Sequence, residues 1–437
     1  MKKTLLFTML LLAMAGTMKA QDVYLLGTKN YYYDFNTVYM PTVWKNGDIL
    51  YQDGEPLEGY SFEKGGLAID DETQDVYWYS ARSYNNTFER ACIYKNDQVV
   101  YNINVVGNIA PRINNMQLKK FESTHTMALY SAGYKLSGSH WDAVIWREGN
   151  ELFVPAAGSG VSSFAFDIAV VGDNESTCEY YYCGDKETDN NSHAIVWHNN
   201  VQSWFNATHS NTANIAVDNG DVYVFGSEFD DATWITTAYV WKNGEVFMSF
   251  EEPDASVNPQ CMVMSDGDLW LSTSTRHESG EKAGDGTIKI WKNGEVMYEH
   301  AQSTYEDSYI TGMDVANDDV YYIVQAWNNP TCDVYKNGEL LYGFNGDDIN
   351  ISALKVYYHD TSSVQETEAR TLSVYPNPAN DMIRIENGSD ETVEIYNATG
   401  QLIMSVEATD GNISVSGLPT GLYLLKQGTN TTQFIKE

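Results

Sequence analysis

A short segment that recurs seven times along this chain restricts its fold more than any other feature. Each copy joins apolar residues, an aromatic residue and a Lys-Asn-Gly type of turn, as in VWKNGDILY at 43–51 and IWKNGEVMY at 290–298. The repeated aromatic residues are Trp44, Tyr94, Trp146, Trp197, Trp241, Trp291 and Tyr335, which lie 44 to 52 residues apart. Each period also holds further strand-like runs, giving four short strands per repeat. This pattern predicts the blades of an all-β propeller.

The two ends of the repeat region complement each other. The first copy begins at its second strand, VYLLG at 23–27, and lacks an inner strand. One additional strand-like run, INISALKVYY at 349–358, follows the seventh copy. We expect this run to complete the first blade. The terminal strands would then close a seven-bladed ring over residues 21–358 and leave no sheet edge open at the join.

The repeated motif itself is interpreted as structural. Asn-Gly between two strands is typical of a type I′ hairpin turn, and the preceding aromatic residue is expected to pack between neighbouring blades. The acidic stretches at 218–221, 265–268 and 317–319 are interpreted as hairpin turns too, because none continues into the spacing of an EF-hand. The sequence thus predicts no metal site and no cofactor, with an opportunistic calcium ion as the alternative.

The connections between the second and third strands of each repeat are expected to carry function. They look longer and more variable than the other turns, and binding residues on rigid scaffolds lie mostly in such loops. Aromatic rings stack on sugars, while amides and carboxylates bond hydroxyl groups. We therefore predict a face that binds glycan or protein, although several of these rings would alternatively tuck under their own loops. The candidate ligand-binding residues are Tyr32, Tyr84, Asp230, Asp231, Trp234, His277 and Trp327.

Signatures of catalysis are mostly absent, and no catalytic residue is assigned. The sequence has no GxSxG elbow, no HExxH and no glycine-rich phosphate loop. Adjacent acids such as Asp230 and Asp231 are the kind of pair that glycoside hydrolysis requires. Three hypotheses follow: a binding or adhesion module, an extracellular polysaccharide-degrading enzyme that uses loop carboxylates, and a structural subunit of a surface assembly.

The first 20 residues have the pattern of a secretory signal peptide. Lys2 and Lys3 precede an apolar run at 5–15, and Ala20 precedes the expected cleavage point. No later apolar run approaches the ~18 residues of a membrane span, so we predict no transmembrane segment in the mature chain. The five cysteines fit neither a disulfide framework nor a metal-ligand spacing, and we expect buried free thiols.

The charge of the chain excludes several partners. With 26 Lys and Arg against 60 Asp and Glu, the formal net charge is −34. Such a surface repels nucleic acid and anionic lipid. It also favours solubility outside the cell.

The composition changes after residue 358. Residues 359–370 are polar and predict a linker, while the short alternating strands of residues 371–437 predict a small Ig-like β-sandwich. This tail resembles the type A sorting domain of type IX secretion cargo from Bacteroidetes-like bacteria. The matching residues are Tyr375, Pro376, Asn377, Pro378, Gly400, Leu418, Pro419, Gly421, Tyr423 and Lys436.

The resemblance implies a route and a destination. Members of this family are exported to the periplasm, carried across the outer membrane by the type IX machinery, and cleaved by a sortase-like protease. Cleavage is expected near residues 366–370. The mature chain would then be secreted or attached to the exterior of the outer membrane of a Gram-negative bacterium. The repeat region resembles uncharacterised propellers with VWKNG repeats, which imply no activity.

Overall fold

The computed structural model describes the chain in sixteen segments. These are residues 21–33, 37–85, 87–105, 109–155, 158, 160–188, 190–277, 284–302, 308–326, 331–345, 349–358, 373–386, 392–397, 401–407, 412–427 and 430–437. The predicted signal peptide and linker lie outside the described residues. Two units are separate: one spans Gln21–His359 and the other includes Asp360–Glu437. The described secondary structure is all β, as predicted.

The first unit begins with four groups of consecutive strands, which belong to sheets 1 to 4. Sheet 1 contains β1 (Gln21–Tyr32), β2 (Thr37–Lys45) and β3 (Asp48–Gln52). Sheet 2 contains β4 (Tyr60–Ile69), β5 (Val76–Tyr84), β6 (Thr87–Lys95) and β7 (Gln98–Asn102). Sheet 3 contains β8 (Arg112–Phe121), β9 (Thr126–Ser137), β10 (His140–Arg147) and β11 (Asn150–Phe153). Sheet 4 contains β12 (Ser163–Val171), β13 (Glu179–Thr188), β14 (Asn191–His198) and β15 (Val201–Phe205).

Three more sheets follow in the same order. Sheet 5 contains β16 (Ser210–Asp218), β17 (Asp221–Asp230), β18 (Ile235–Lys242) and β19 (Glu245–Phe250). Sheet 6 contains β20 (Ala255–Ser265), β21 (Asp268–His277), β22 (Gly286–Lys292) and β23 (Glu295–Gln302). Sheet 7 contains β24 (Ser308–Ala316), β25 (Asp319–Ala326), β26 (Thr331–Lys336) and β27 (Glu339–Asn345). Every sheet is antiparallel and pairs its strands in up-and-down order.

The last strand of this unit, β28 (Ile349–Tyr358), returns to sheet 1. It pairs antiparallel with β1, with Gln21 opposite Tyr358 and Leu25 opposite Leu354, and supplies the fourth strand. The predicted pairing of the two ends is therefore confirmed. Among the described residues of the unit, one apolar cluster lies between each neighbouring pair of sheets, including sheets 7 and 1. This circular arrangement is a β-propeller.

The repeated aromatic residues fill these intersheet cores, as the sequence predicts. Trp44 of sheet 1 is 1% exposed and its ring lies 5.9 Å from that of Phe344 in sheet 7. Trp291 of sheet 6 lies 4.9 Å from Phe250 in sheet 5. Each such ring removes a large apolar area from water, which is the main favourable contribution to this kind of packing.

The Lys-Asn-Gly turns have the backbone conformation that type I′ requires. In the copy at sheet 6, Asn293 has φ 51° and Gly294 has φ 86°. The Asn293 side chain also ties the turn to the neighbouring strand: its Oδ1 accepts a hydrogen bond from the Leu269 backbone N at 2.9 Å, and its Nδ2 donates to Asp268 Oδ1 at 2.7 Å. Equivalent asparagine contacts occur at Asn46, Asn96, Asn243 and Asn337.

The lysine before each of these asparagines completes the link. Lys292 Nζ lies 2.7 Å from Asp268 Oδ2 and 5.0 Å from the centre of the Trp270 ring. The same Asp, Lys and aromatic arrangement recurs in sheets 1, 2, 5 and 7. The acidic residue that starts the second strand therefore fixes the turn between the third and fourth strands.

Free cysteines are distributed through this unit. Cys92, Cys178, Cys183 and Cys332 are buried, and Cys261 is partly buried. The prediction of free thiols in the interior is confirmed, since all five are unpaired in the described structure.

The described tail forms two sheets. Its strands are β29 (Ser373–Tyr375), β30 (Met382–Glu386), β31 (Thr392–Asn397), β32 (Leu402–Glu407), β33 (Asn412–Ser414), β34 (Gly421–Gln427) and β35 (Asn430–Lys436). Sheet 8 has the order β29-β30-β33 and sheet 9 has the order β32-β31-β34-β35. Buried residues of both sheets, including Ile383, Ile395 and Phe434, form one core. The predicted sandwich is thus observed.

Substitution of Asn293 tests the turn. Asn293→Gly keeps the positive φ but loses two hydrogen bonds, and should lower the free energy of unfolding by about 1 kcal/mol. Asn293→Ala also places an ordinary side chain in the left-handed region, and should lower it by about 2 kcal/mol. Urea denaturation of the full-length chain measures both changes. Glu295→Ala, on the exposed start of β23, is the control, and equal stability of all three variants would contradict this account.

Candidate functional site

The connections between second and third strands are shorter than the sequence suggests. Tyr32 pairs with Thr37 and Tyr84 pairs with Thr87, so both tyrosines lie in strands and not in loops. Arg276 likewise pairs with Gly286, and His277 ends β21. The expectation of long loops is therefore wrong at these positions. Antiparallel pairing continues past the point where the apolar pattern stops, because backbone hydrogen bonds do not depend on side-chain polarity.

The turn of sheet 5, residues 229–234, presents the most exposed aromatic residue among those that the structure describes on this face. Trp234 is 72% exposed and has φ 61°. Asp230 holds the turn: its Oδ1 accepts a hydrogen bond from the Ala232 backbone N at 2.8 Å, and its Oδ2 accepts one from the Thr233 hydroxyl at 2.8 Å. The Trp234 backbone N donates to the Asp230 carbonyl at 2.8 Å. The indole is consequently displayed on a fixed backbone.

Two further rings support this turn. The Phe229 ring lies 6.0 Å from that of Trp234 in an edge-to-face arrangement, and His209 packs against Phe229 at 5.1 Å. His209 Nδ1 also lies 3.7 Å from Asp231 Oδ1. Phe229, His209, Asp230, Asp231 and Trp234 therefore form one cluster, which we call the Trp234 cluster. The sequence predicts three of these five members, Asp230, Asp231 and Trp234, as ligand-binding residues. Phe229 and His209 are not among the predicted residues, and His209, which precedes β16, has no local signature.

The two acids of this cluster have different roles. Hydrogen bonds from the Ala232 backbone and the Thr233 hydroxyl lower the pKa of Asp230, which keeps it ionised. Asp231 faces solvent, with its side chain 75% exposed. General acid catalysis by a glycosidase needs a carboxyl group whose pKa is raised by its surroundings. The lowered pKa of Asp230 therefore does not suit this residue to the role of general acid in a hydrolytic pair.

The remaining predicted residues do not belong to this cluster. Tyr32 (58% exposed) lies in sheet 1 and Tyr84 (43% exposed) in sheet 2, where its ring is 4.9 Å from Tyr60. His277 lies in sheet 6, and its backbone N donates to the Asp285 carbonyl at 3.0 Å. Trp327 lies outside the described residues. The structure thus distributes the candidate residues over several sheets of the ring.

A cavity that the sequence does not indicate opens at the same ends of sheets 1, 2 and 7. Its volume is about 460 Å³. Thr28, Asn30, Tyr39 and Asn350 line it from sheet 1, Phe62, Glu63 and Lys64 from sheet 2, and Gln325 and Ala326 from sheet 7. We call it the Lys64 cavity. Its residues come from distant parts of the chain and carry no shared motif.

Lys64 contributes the only ammonium group to the described lining of this cavity. Its Nζ donates a hydrogen bond to Asn350 Oδ1 at 3.3 Å. Burial lowers the pKa of Lys64 to about 8, and the nearby Cys332 and Glu63 oppose this only partly.

Another feature of this face is a buried carboxylate in sheet 4. Asp185 is 5% exposed, and its Oδ1 accepts a hydrogen bond from the Thr212 backbone N at 2.9 Å while its Oδ2 accepts one from the Ser192 hydroxyl at 3.1 Å. Burial raises the pKa of Asp185 to about 7, because these hydrogen bonds offset only part of the lost hydration.

Within the described residues, no group of three or more His, Cys, Asp or Glu side chains has the arrangement of a metal site.

The sorting residues of the tail are mostly structural. Asn377 joins the segment before β30 to the last strand: its Oδ1 accepts a hydrogen bond from the Ile435 backbone N at 2.9 Å, and its Nδ2 donates to the Gln433 carbonyl at 3.2 Å. The Tyr423 hydroxyl donates to the Pro419 carbonyl at 2.8 Å. Leu418 packs on the core.

The other sorting residues differ in exposure. Tyr375 is 42% exposed beside the solvent-facing Pro376 and Pro378, whereas Lys436 is 8% exposed and donates to the Glu437 carbonyl. Gly421 pairs with Lys436 across β34 and β35. Gly400 lies outside the described residues.

The outer face of sheet 9 is unusually apolar. Leu402, Leu422, Leu424 and Ile435 are each 44–48% exposed. Tyr396 lies opposite Leu402 and Leu424, and Leu422 lies opposite Ile435, so these side chains adjoin across four strands. Contiguous exposed apolar surface of this kind commonly marks an interaction site.

Comparison with known proteins finds a family for the tail. Residues 373–437 match the family described as the secretion system C-terminal sorting domain, which confirms the predicted type IX sorting tail. A comparison with curated proteins gave no match. Among the residues that the structure describes, there is no helix with the length and hydropathy needed to cross a bilayer.

Solved structures similar to the chain include β-propellers. PorZ of Porphyromonas gingivalis, an essential bacterial surface component of the type IX secretion system, is 13% identical with a TM-score of 0.30, over 91% of this chain and 68% of PorZ. The β-propeller domain of the Trilobed protease from Pyrococcus furiosus is 13% identical with a TM-score of 0.38, over 74% of this chain and 93% of that domain. At these scores the likenesses bear on no function, and the fold assignment rests on the strand pairing.

Titration of Asp185 gives a pH-dependent prediction. The folded chain holds a proton on Asp185 that the unfolded chain releases above its ordinary pKa, so this residue lowers the free energy of unfolding as the pH rises toward 7. Asp185→Asn removes that fall. Relative to wild type, the variant should gain roughly 1–3 kcal/mol between about pH 5 and pH 8 in urea denaturation. Glu187→Gln is the exposed control, and parallel stability curves for wild type and Asp185→Asn would contradict the prediction.

Proposed function

We propose that this chain is a type IX secretion cargo whose propeller acts outside the cell as a binding module for glycan or protein. The sorting-domain match to residues 373–437 supports export by that machinery. On this proposal residues 1–20 are a signal peptide, residues 21–358 are the mature propeller, residues 359–370 are a cleavable linker and residues 371–437 are the sorting domain. A sortase-like protease would cut in the linker, and the mature chain would be surface-attached or released.

The observation that carries the binding function is the display of Trp234. An indole ring that is 72% exposed has an unfavourable hydration free energy. The turn that carries this ring is nevertheless fixed by three hydrogen bonds, all of which Asp230 accepts. A rigid, exposed aromatic ring loses little conformational entropy when it binds. Such rings stack on sugars and on apolar protein surfaces.

The surroundings of Trp234 favour a ligand with hydroxyl or amide groups. Asp231 and His209 belong to the same cluster and add hydrogen-bond acceptors and donors to its apolar rings. This mixture of one aromatic platform and a few polar groups is typical of small-ligand recognition. The net charge of −34 makes nucleic acid an unsuitable partner.

Substitution of Trp234 tests this proposal. Labelled full-length chain is applied to an array of microbial and host glycans and matrix proteins, and saturable binding to at least one class is expected. Trp234→Ala should weaken that binding about tenfold or more, which corresponds to ~1.4 kcal/mol of binding free energy. Phe247→Ala is the matched control, because Phe247 is 48% exposed on the outer strand of the same sheet. The absence of binding to every class, or equal loss in both variants, would overturn the proposal.

The outer face of sheet 9 is the surface that we propose the secretion machinery contacts. The double variant Leu422→Ser, Leu424→Ser removes two exposed leucines while their buried neighbours in β34 stay intact. The ratio of surface plus medium to periplasmic protein, measured by immunoblotting, should fall about tenfold because apolar contact area is lost. Met382→Ser, at an exposed position of sheet 8, should leave the ratio unchanged. Unimpaired export of the double variant would place recognition elsewhere.

A further inference from the structure

The Lys64 cavity has the size of a site for a small ligand. Its volume of about 460 Å³ lies within the ~300–1,000 Å³ of typical small-molecule sites. Three sheets contribute to it, and it opens at the ends where second and third strands connect. It belongs to sheets 1, 2 and 7, whereas the Trp234 cluster belongs to sheet 5. The two are therefore separate candidate sites on one face of the ring.

The ammonium group of Lys64 is the first chemical constraint on the ligand. The Nζ atoms of the five lysines in the repeated segment each lie within 4 Å of a carboxylate oxygen, as Lys45 Nζ does with Asp22 Oδ2. Across the described residues, Lys64 Nζ has no carboxylate partner at that distance, and its hydrogen bond is to the neutral amide of Asn350. The adjacent Glu63 instead pairs with Arg112 at 3.1 Å. Because this partly buried cation has no counter-ion among the described residues, it favours an anionic ligand.

The amide of Gln325 is the second constraint. Gln325 is 7% exposed and lines the cavity beside Ala326. Its Oε1 is buried and, in the part of the chain that the structure describes, accepts no hydrogen bond. A buried acceptor without a donor costs roughly 1–3 kcal/mol, which a ligand hydroxyl or N–H group would recover.

Aromatic residues at the rim are the third constraint. Tyr39 is 54% exposed and lines the cavity from sheet 1, and Phe62 lines it from sheet 2. Their ring faces suit the C–H face of a sugar ring. Asn350 and Thr28 add further hydrogen-bonding groups to the same lining.

From this combination we infer that the Lys64 cavity binds a carboxylated sugar residue. The carboxylate lies on Lys64 Nζ, ring hydroxyls donate to Gln325 Oε1 and bond with Asn350, and the sugar ring lies against Tyr39 or Phe62. This inference rests on the proposed binding function, since it names a ligand class for the same face of the propeller. It does not depend on Trp234.

The net charge of the chain predicts an unusual salt dependence for the affinity of the cavity for an acidic sugar. A chain of net charge −34 repels an anionic sugar at long range, and salt screens this repulsion with a Debye length of ~8 Å at 0.15 M. The contact of the carboxylate with Lys64 inside the cavity is screened much less. Affinity should therefore rise, and not fall, when salt is increased from about 0.01 M to 0.15 M.

Saturation-transfer NMR and calorimetry on the full-length chain test the inference. The probes are the methyl glycosides of glucuronic acid and of N-acetylneuraminic acid, with methyl glucoside as the neutral analogue and N-acetyl-diglycine as a peptide carboxylate. At least one acidic sugar should bind about tenfold more tightly than methyl glucoside, a difference of ~1.4 kcal/mol. Lys64→Met should abolish this preference, whereas Lys64→Arg should retain it because the positive charge remains.

Controls separate the cavity from general charge. Lys186→Met removes one lysine from the corresponding region of sheet 4 and should leave binding unchanged. Equal binding of methyl glucoside, tighter binding of N-acetyl-diglycine, or retained preference in a folded Lys64→Met variant would overturn the inference. Gln325→Met gives a second check, since loss of the acceptor should weaken the acidic sugar even when Lys64 is intact.

The two proposals fail in different ways. Array binding that is lost with Trp234→Ala, together with no preference for acidic sugars over methyl glucoside, would support the binding propeller and overturn the carboxylated-sugar site. No binding on the array, together with no preference for acidic sugars, would overturn both. Binding of an acidic sugar that needs Lys64, without any array binding that needs Trp234, would support the cavity and overturn the role proposed for Trp234.

Discussion

The pairing of β28 with β1 is the interaction on which the rest of the propeller depends. These strands run antiparallel from Gln21 opposite Tyr358 to Lys29 opposite Ile349, and they complete sheet 1. Without this pairing, sheet 1 would lack its inner strand and the apolar faces of sheets 1 and 7, including Trp44 and Leu354, would lose their shared core. Each other intersheet core joins sheets that are neighbours in sequence, but this one joins the two ends of the chain. The Lys64 cavity has the same origin, because residues 28, 64, 325 and 350 meet only after the ring has closed.

The constant part of each repeat and its variable part lie at opposite ends of the sheets. At one end, an aspartate, a lysine and an asparagine fix each Lys-Asn-Gly turn, as Asp268, Lys292 and Asn293 do in sheet 6. These contacts recur because each sheet needs the same turn at the same place. At the other end, sheet 5 displays Trp234 while sheets 1, 2 and 7 enclose a cavity. Because the turn contacts stabilise the sheets at one end, the residues at the opposite end are able to differ from sheet to sheet. Rigid folds usually carry their binding residues in such variable segments.

The sequence predicts the repeated features well and the single features poorly. Trp44 and Asn293 each have counterparts in other copies, so their roles in core and turn follow from the period alone. The pairing of β28 with β1 follows from the inner strand that the first copy lacks and from the extra strand that follows the seventh copy. The position of Tyr32 within β1 was missed, because strand pairing extends beyond the apolar pattern that signals a strand. Lys64 and His209 were missed for another reason: their neighbours lie in other repeats or in irregular segments, and a contact between distant residues leaves no mark in local composition.

The closure of the ring by its two ends also sets the order in which the propeller is able to fold. Sheets 2 to 7 are each built from consecutive residues, and their hairpins form as soon as those residues are available. Sheet 1 cannot be completed until residue 358 has been made, so the chain must bring together segments separated by almost its whole propeller sequence, at a large cost in loop entropy. Until residue 358 has been synthesised, the ring therefore remains open and its final interface unformed. The cooperative, closed state of the propeller is therefore reached only when its last strand arrives.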